Sequence, residues 1–133
     1  MAFVLDASVA LGWVVAKQAT AYSRRMRLRA RREPYHAPAL WRPEVVNALR
    51  SLERRRAISS DSATAAIDIL DRMQPVIHEA TMPLVDLLRL ARKFDLSSYD
   101  ANYLALALEL KMPIACSDGP LKAVLAKAGV KLA

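Results

Sequence analysis

Ala2-Phe3-Val4-Leu5-Asp6-Ala7-Ser8-Val9-Ala10 opens the chain, and its first half decides the fold. Four apolar residues in an unbroken run, closed by an acid, read as a short strand buried on both faces. Parallel sheets covered by helices use strands of this kind, because neither face meets water. Ala7 to Lys17 then changes period: Val9, Trp13 and Val14 recur at helical spacing. A buried strand passing straight into a helix is the opening of an α/β unit.

The same alternation continues outward from this stretch. A very basic helix is expected over Thr20 to Arg32, then a strand over Tyr35 to Ala37 closed off by Pro38. Pro43 suits the first turn of a helix, where its missing N–H costs nothing; Val45, Leu49 and Leu52 share one face of that helix, which runs to about Arg56. Ser59, Ser60 and Asp61 offer N-caps for a helix reaching Met73, with Ala63, Ile67 and Leu70 turned inward. Pro75 to His78 reads as a third strand, and Pro83 starts a helix through Leu84, Leu87, Leu88 and Ala91. Ser97-Ser98-Tyr99-Asp100 resembles a capped helix start, followed by Tyr103, Leu104, Ala107 and Leu108. Met112 to Cys116 makes a fourth strand, Pro120 to Lys127 a last helix, and Val130 to Leu132 an edge strand. The expectation is one α/β domain over 1–133, with a mainly parallel sheet of four to five strands flanked by helices.

Charge and composition narrow the function. With 133 residues and 54% hydrophobic content, the chain can bury a core without crosslinks. Its one cysteine, Cys116, excludes an internal disulfide and suits a reducing interior. No secretion signal is read, and the apolar stretch Ala7 to Ala16 is too short to span a bilayer, so the cytoplasm is expected and no membrane partner. A net charge of +7 points to an anionic partner. Twelve of the 20 basic residues lie between Lys17 and Arg56, and eleven of these are arginine, whose planar fork binds phosphate bidentately. A solvated, solubilising helix face explains the same clusters.

Most of the 13 acids fit surface roles, such as a cap at Asp61 or a first-turn charge at Asp86. Four do not. Asp6 ends the first strand, and Asp118 follows the fourth by two residues; both fall on the carboxyl edge, where open α/β sheets bind ligands. Glu44 lies in the first turn of a helix entered from a strand, close to the same edge. Asp100 interrupts the apolar stretch Leu96 to Leu108, at a position that topology alone does not assign to the edge. Any one of them is explained as a helix cap. Together, clustered carboxylates are unfavourable without a cation, and oxygen ligands suit magnesium or manganese better than zinc. Other chemistries lack parts. His36 and His78 each lie beside a strand with no reason to meet, Cys116 reads as core, and three glycines cannot build a phosphate loop.

Four segments in order carry a family resemblance. They are Val4-Leu5-Asp6-Ala7-Ser8-Val9-Ala10; Pro38-Ala39-Leu40-Trp41 with Pro43-Glu44-Val45-Val46-Asn47-Ala48-Leu49; Leu96-Ser97-Ser98-Tyr99-Asp100-Ala101 with Tyr103-Leu104-Ala105-Leu106-Ala107; and Pro113-Ile114-Ala115-Cys116-Ser117-Asp118. Over essentially its whole length the chain resembles the PIN-domain family, and within it the VapC-like toxins of type II toxin–antitoxin modules. The resemblance implies that Asp6, Glu44, Asp100 and Asp118 are the catalytic, metal-holding acids, for Mg2+ or Mn2+. It places Asp100 at the site and gives Ser8 the role of supporting Asp6. It further implies an endoribonuclease leaving a 5′-phosphate and a 3′-hydroxyl, a cognate antitoxin and a homodimer. Trp13, Trp41 and Tyr22 would offer apolar surface for that dimer, although core burial explains them equally well. Cys116 departs from the family's usual threonine or serine, which removes a hydroxyl near the site; Asn47 and Asn102 are candidate outer groups. Two rival readings are a PIN-fold RNA-processing or DNA nuclease without an antitoxin, and a non-catalytic nucleic-acid-binding protein.

Overall fold

A computed structural model describes all 133 residues. Its strands are β1 (Phe3–Leu5), β2 (Tyr35–Pro38), β3 (Val76–His78) and β4 (Ile114–Ala115). The helices are α1 (Ala7–Val14), α2 (Ala21–Arg29), α3 (Trp41–Arg54), α4 (Ser60–Arg72), α5 (Leu84–Phe94), α6 (Ser98–Leu110) and α7 (Pro120–Ala128). The sheet runs β3-β2-β1-β4 with every pair parallel, so the expected α/β architecture is present with four strands. Val130 to Leu132 does not form a fifth strand. Leu132 makes a single parallel bridge to Ile114, because β4 itself is only two residues long and offers little ladder to extend.

Phe3, Val4 and Leu5 are fully buried, as a strand covered on both faces requires. On one face Phe3 stacks on its register partner Tyr35 at 5.8 Å, and Trp13 of α1 meets Tyr35 edge-on at 5.9 Å. The Trp13 indole N–H donates to the Ser23 carbonyl (2.9 Å), tying α1 to α2. α6 packs across β1, β2 and β4, with α5 against it. Trp13 and Trp41 therefore belong to the core, 6% and 2% exposed, and do not supply a dimer surface. Exposed apolar side chains include Leu84, Val85 and Leu88 on α5, with others spread over the chain at Leu28, Val46, Val76, Tyr99 and Leu108.

Sequence periodicity accounts for the helices that carry the site. On α3, Val45, Leu49 and Leu52 face the core, each fully buried side chain contributing ~1.5–3 kcal/mol. α3 begins at Trp41, two residues before the expected Pro43, and Glu44 remains in its first turn. α6 starts at an N-cap, Ser97, whose hydroxyl accepts from the Asp100 N–H at 3.1 Å. α1 stops at Val14, short of Lys17, and the chain turns through a 3-10 segment, Ala16–Gln18, into α2. No helix is long and apolar enough to cross a membrane.

Candidate active site

β1 ends in Asp6, and the parallel register brings β4 alongside it: Leu5 pairs with Ala115, and the Asp6 N–H donates to the Ala115 carbonyl at 2.9 Å. The Asp6 carboxylate caps α1. Its Oδ2 accepts from the Ser8 N–H at 3.3 Å and from the Ser8 hydroxyl. Ser8 Oγ in turn accepts from the Ser117 N–H at 3.2 Å, so one hydroxyl ties the first acid to the loop that carries Asp118. Ser8 thus contacts Asp6 directly, and the same carboxylate caps α1.

Glu44 enters from α3, the helix that follows β2, and is half-buried. The Tyr103 hydroxyl donates to Glu44 Oε1 at 2.6 Å, a short bond of the kind made to an ionised acceptor. In the sequence Tyr103 belongs to the helix after Asp100 and to the third matching segment, and no site role attaches to it there. It stands three positions after Asp100, and residues at that spacing share a helix face; this was the available signal. Asp100 reaches the site because α6 crosses β1, a contact that the strand–helix alternation does not reveal.

The electrostatics show which acids share space. Desolvation first, and then the charge of Asp100, push the Asp6 carboxyl above its ordinary range, while Ser8 opposes the shift. Glu44 is pushed up by burial, with Asp6 and Asp100 adding to the effect and Tyr103 opposing it. Burial raises Asp100 as well. Asp100 thus acts on both Asp6 and Glu44, and Asp6 acts on Glu44, so burial and neighbouring charge disfavour ionisation of those two while burial alone does so at Asp100. The Cys116 thiol, buried beside them, is pushed up to about 12 by burial and then by Asp6, which makes it a neutral neighbour.

Asp118 is different. It is 92% exposed, and its carboxylate accepts from Lys122 Nζ at 2.6 Å, one turn along into α7, which holds its pKa down. The structure places Asp118 on the expected edge without bringing its side chain into the group. In this arrangement no three His, Cys, Asp or Glu side chains stand together within reach of one cation. The donor chemistry of Asp6, Glu44 and Asp100 nevertheless fits a hard divalent ion: all donors are oxygen, and a cation there would offset the burial that raises all three and the repulsion that adds to it at Asp6 and Glu44. Asn102 donates to the Ser98 carbonyl at 2.8 Å, and Asn47 is exposed.

The arginines divide in a similar way. Arg27 donates to the Trp13 carbonyl at 2.9 Å, and Arg29 pairs with Glu33 at 2.8 Å, so both have structural partners. Arg24, Arg31, Arg32, Arg54, Arg55 and Arg56 are exposed.

No family model matches the chain, and no curated protein matches it. The fold has a solved counterpart. The crystal structure of PAE2754 from Pyrobaculum aerophilum is similar over 97% of this chain and 90% of that one, with a TM-score of 0.65 and 18% identity. At that identity the likeness speaks for the architecture alone.

Proposed function

We propose that this chain is a divalent-metal-dependent endoribonuclease of the PIN-domain family, the VapC-like toxin of a toxin–antitoxin pair. The observation that carries this reading is the gathering of Asp6, Glu44 and Asp100 on the carboxyl-edge side of the sheet, where burial raises all three and the charge of Asp100 adds to the effect on Asp6 and Glu44, although the three do not converge on one point in this arrangement. A binding protein for nucleic acid has no use for such a group, since it repels phosphate.

Asp6, Glu44 and Asp100 would hold Mg2+ or Mn2+, with Asp118 available at the same edge once it turns from Lys122. Such an ion supplies charge neutralisation and Lewis-acid activation of water and phosphate when bound. The chain's own residues do the positioning. Ser8 and the α1 N-terminus fix Asp6 at the end of a fully buried strand, and Tyr103 fixes the direction of Glu44. The exposed arginines at 31, 32 and 54–56 offer contacts to the RNA backbone, which guide a strand without reading its sequence. The exposed apolar residues of α5 support a homodimer, and an antitoxin would be the partner that silences the site in the cytoplasm.

Incubation of purified protein with RNA tests this directly. Cleavage is expected with magnesium or manganese, to be abolished by chelator and again in Asp6→Asn and Asp100→Asn. Full activity in both variants, or activity that survives chelation, would remove the carboxylates from the mechanism.

A further inference from the structure

The chain's two histidines, separate in sequence, meet in the fold. β2 and β3 are parallel neighbours with Pro38 opposite His78, so His36 lies two positions upstream on the same face. His36 Nδ1 approaches His78 Nε2 to 2.9 Å, with the rings tilted at 43° and both residues half-buried. His78 also lines a groove of about 430 Å³ that runs between the β3–α5 loop and α6. Glu79, Asp86 and Glu109 line the same groove without a lysine or arginine among the lining residues, although Arg89 pairs with Asp86 at 3.4 Å from outside it. Two ring nitrogens directed at each other beside an anionic groove are suited to a cation.

We propose that His36 and His78 form a two-imidazole site for a borderline divalent transition metal of the zinc type, separate from the carboxylate group. Two Zn–N bonds of about 2.0–2.1 Å at a tetrahedral angle set the nitrogens roughly 3.3 Å apart. The observed 2.9 Å is closer and belongs to an N–H···N hydrogen bond, so both rings must turn for their lone pairs to converge on one ion. One hydrogen lies between the facing nitrogens. On binding, the metal takes its place and that hydrogen moves to the far nitrogen of the same ring, so both rings stay neutral and no oxidation is involved. Burial and the His78 ring keep His36 less basic than an ordinary imidazole, which favours the free lone pair. No third side chain stands within joint reach, so water fills the remaining positions and the groove's carboxylates act through charge. The two sites sort ions by softness: oxygen donors take magnesium or manganese, and imidazoles take zinc, nickel or copper.

The test uses full-length protein without a histidine tag, carrying Asp6→Asn and Asp100→Asn so that the carboxylate group cannot hold the ion. Zinc titrated by calorimetry in excess Mg2+ should bind once per chain, as tightly as in the parent. His36→Gln or His78→Gln in the same background should weaken binding at least about tenfold, since losing a ligand costs no less than losing an outer-shell partner. Copper(II) resonance spectra of the chain with both histidines intact should show coupling to two nitrogens, a readout that does not depend on how the histidine variants fold. Zinc binding unchanged by both histidine substitutions, binding lost with the two carboxylates, or copper spectra without nitrogen coupling would each overturn the proposal. None of these outcomes bears on RNA cleavage at the carboxylate group.

Discussion

Replacing Tyr103 by phenylalanine removes one oxygen from a fully buried ring and leaves the carbon skeleton in place. The cost is therefore dominated by the bond from its hydroxyl to Glu44 Oε1, 2.6 Å long. Hydrogen bonds to charged groups contribute ~1.5–3 kcal/mol, against ~0.5–1.5 kcal/mol between neutral partners. At neutral pH the variant should lose about 2 kcal/mol, a fall of roughly 6–10 °C in Tm for a domain of this size. The loss depends on pH in a definite direction. Glu44's folded pKa already lies above its ordinary value, so its ionisation weakens the fold as pH rises through the interval between the two. Tyr103 opposes that shift, and without it Glu44 rises further. The gap between wild type and Tyr103→Phe should therefore be small in acid, open as pH climbs above the ordinary carboxylate range, and stay open at neutral pH. Urea unfolding of both proteins across that range measures it, and the same substitution in a Glu44→Gln background should show the smaller, neutral-partner loss. A variant as stable as wild type at neutral pH, or a gap that closes as pH rises, would refute the assignment of Tyr103 as the donor that holds ionised Glu44.

Asp6→Asn should raise the Tm of chelator-treated protein at neutral pH, because it deletes a carboxylate whose ionisation burial and Asp100 oppose, and asparagine still caps α1. That gain should fade as pH falls into the carboxylate range, where Asp6 is already neutral; an equal gain at every pH would contradict the electrostatic origin. Gly12→Ala should destabilise the fold by ~1–3 kcal/mol by overpacking, even though alanine is the better helix former. A Cβ there would sit 2.7 Å from Ser23 Oγ and 2.8 Å from Ser23 Cβ, inside the contact that joins α1 to α2. An unchanged Tm would show that Ser23 moves aside freely.

Much of the architecture was legible because each element carried its own signal. The apolar run ending at Asp6, the proline at the start of α7 and the serine N-caps of α4 and α6 all act locally, and local signals survive without knowledge of neighbours. What depended on neighbours was harder to read. The meeting of His36 and His78 follows from β2 and β3 lying side by side, and nothing within either strand announces that order. Asp100 needed α6 to cross β1, and Asp118 needed the direction of one side chain, which its i,i+4 partner Lys122 turns outward. The aromatic residues at 13 and 41 were compatible with surface or core by pattern alone. Stacking behind β1 and β2 resolved Trp13 as core, and Trp41 is buried with its indole N–H lacking a partner. The capping of α1 by Asp6 was an alternative to a site role in sequence terms; in three dimensions the cap is made, and it leaves the same carboxylate at the sheet edge beside β4.

The most direct test of the three-carboxylate centre is anomalous diffraction from crystals soaked in manganese. A peak lying between Asp6, Glu44 and Asp100, and absent from Asp6→Asn crystals, is the expected result. Crystals in which manganese binds elsewhere, or nowhere, while Asp6 stays on Ser8 and Glu44 on Tyr103 would contradict the account.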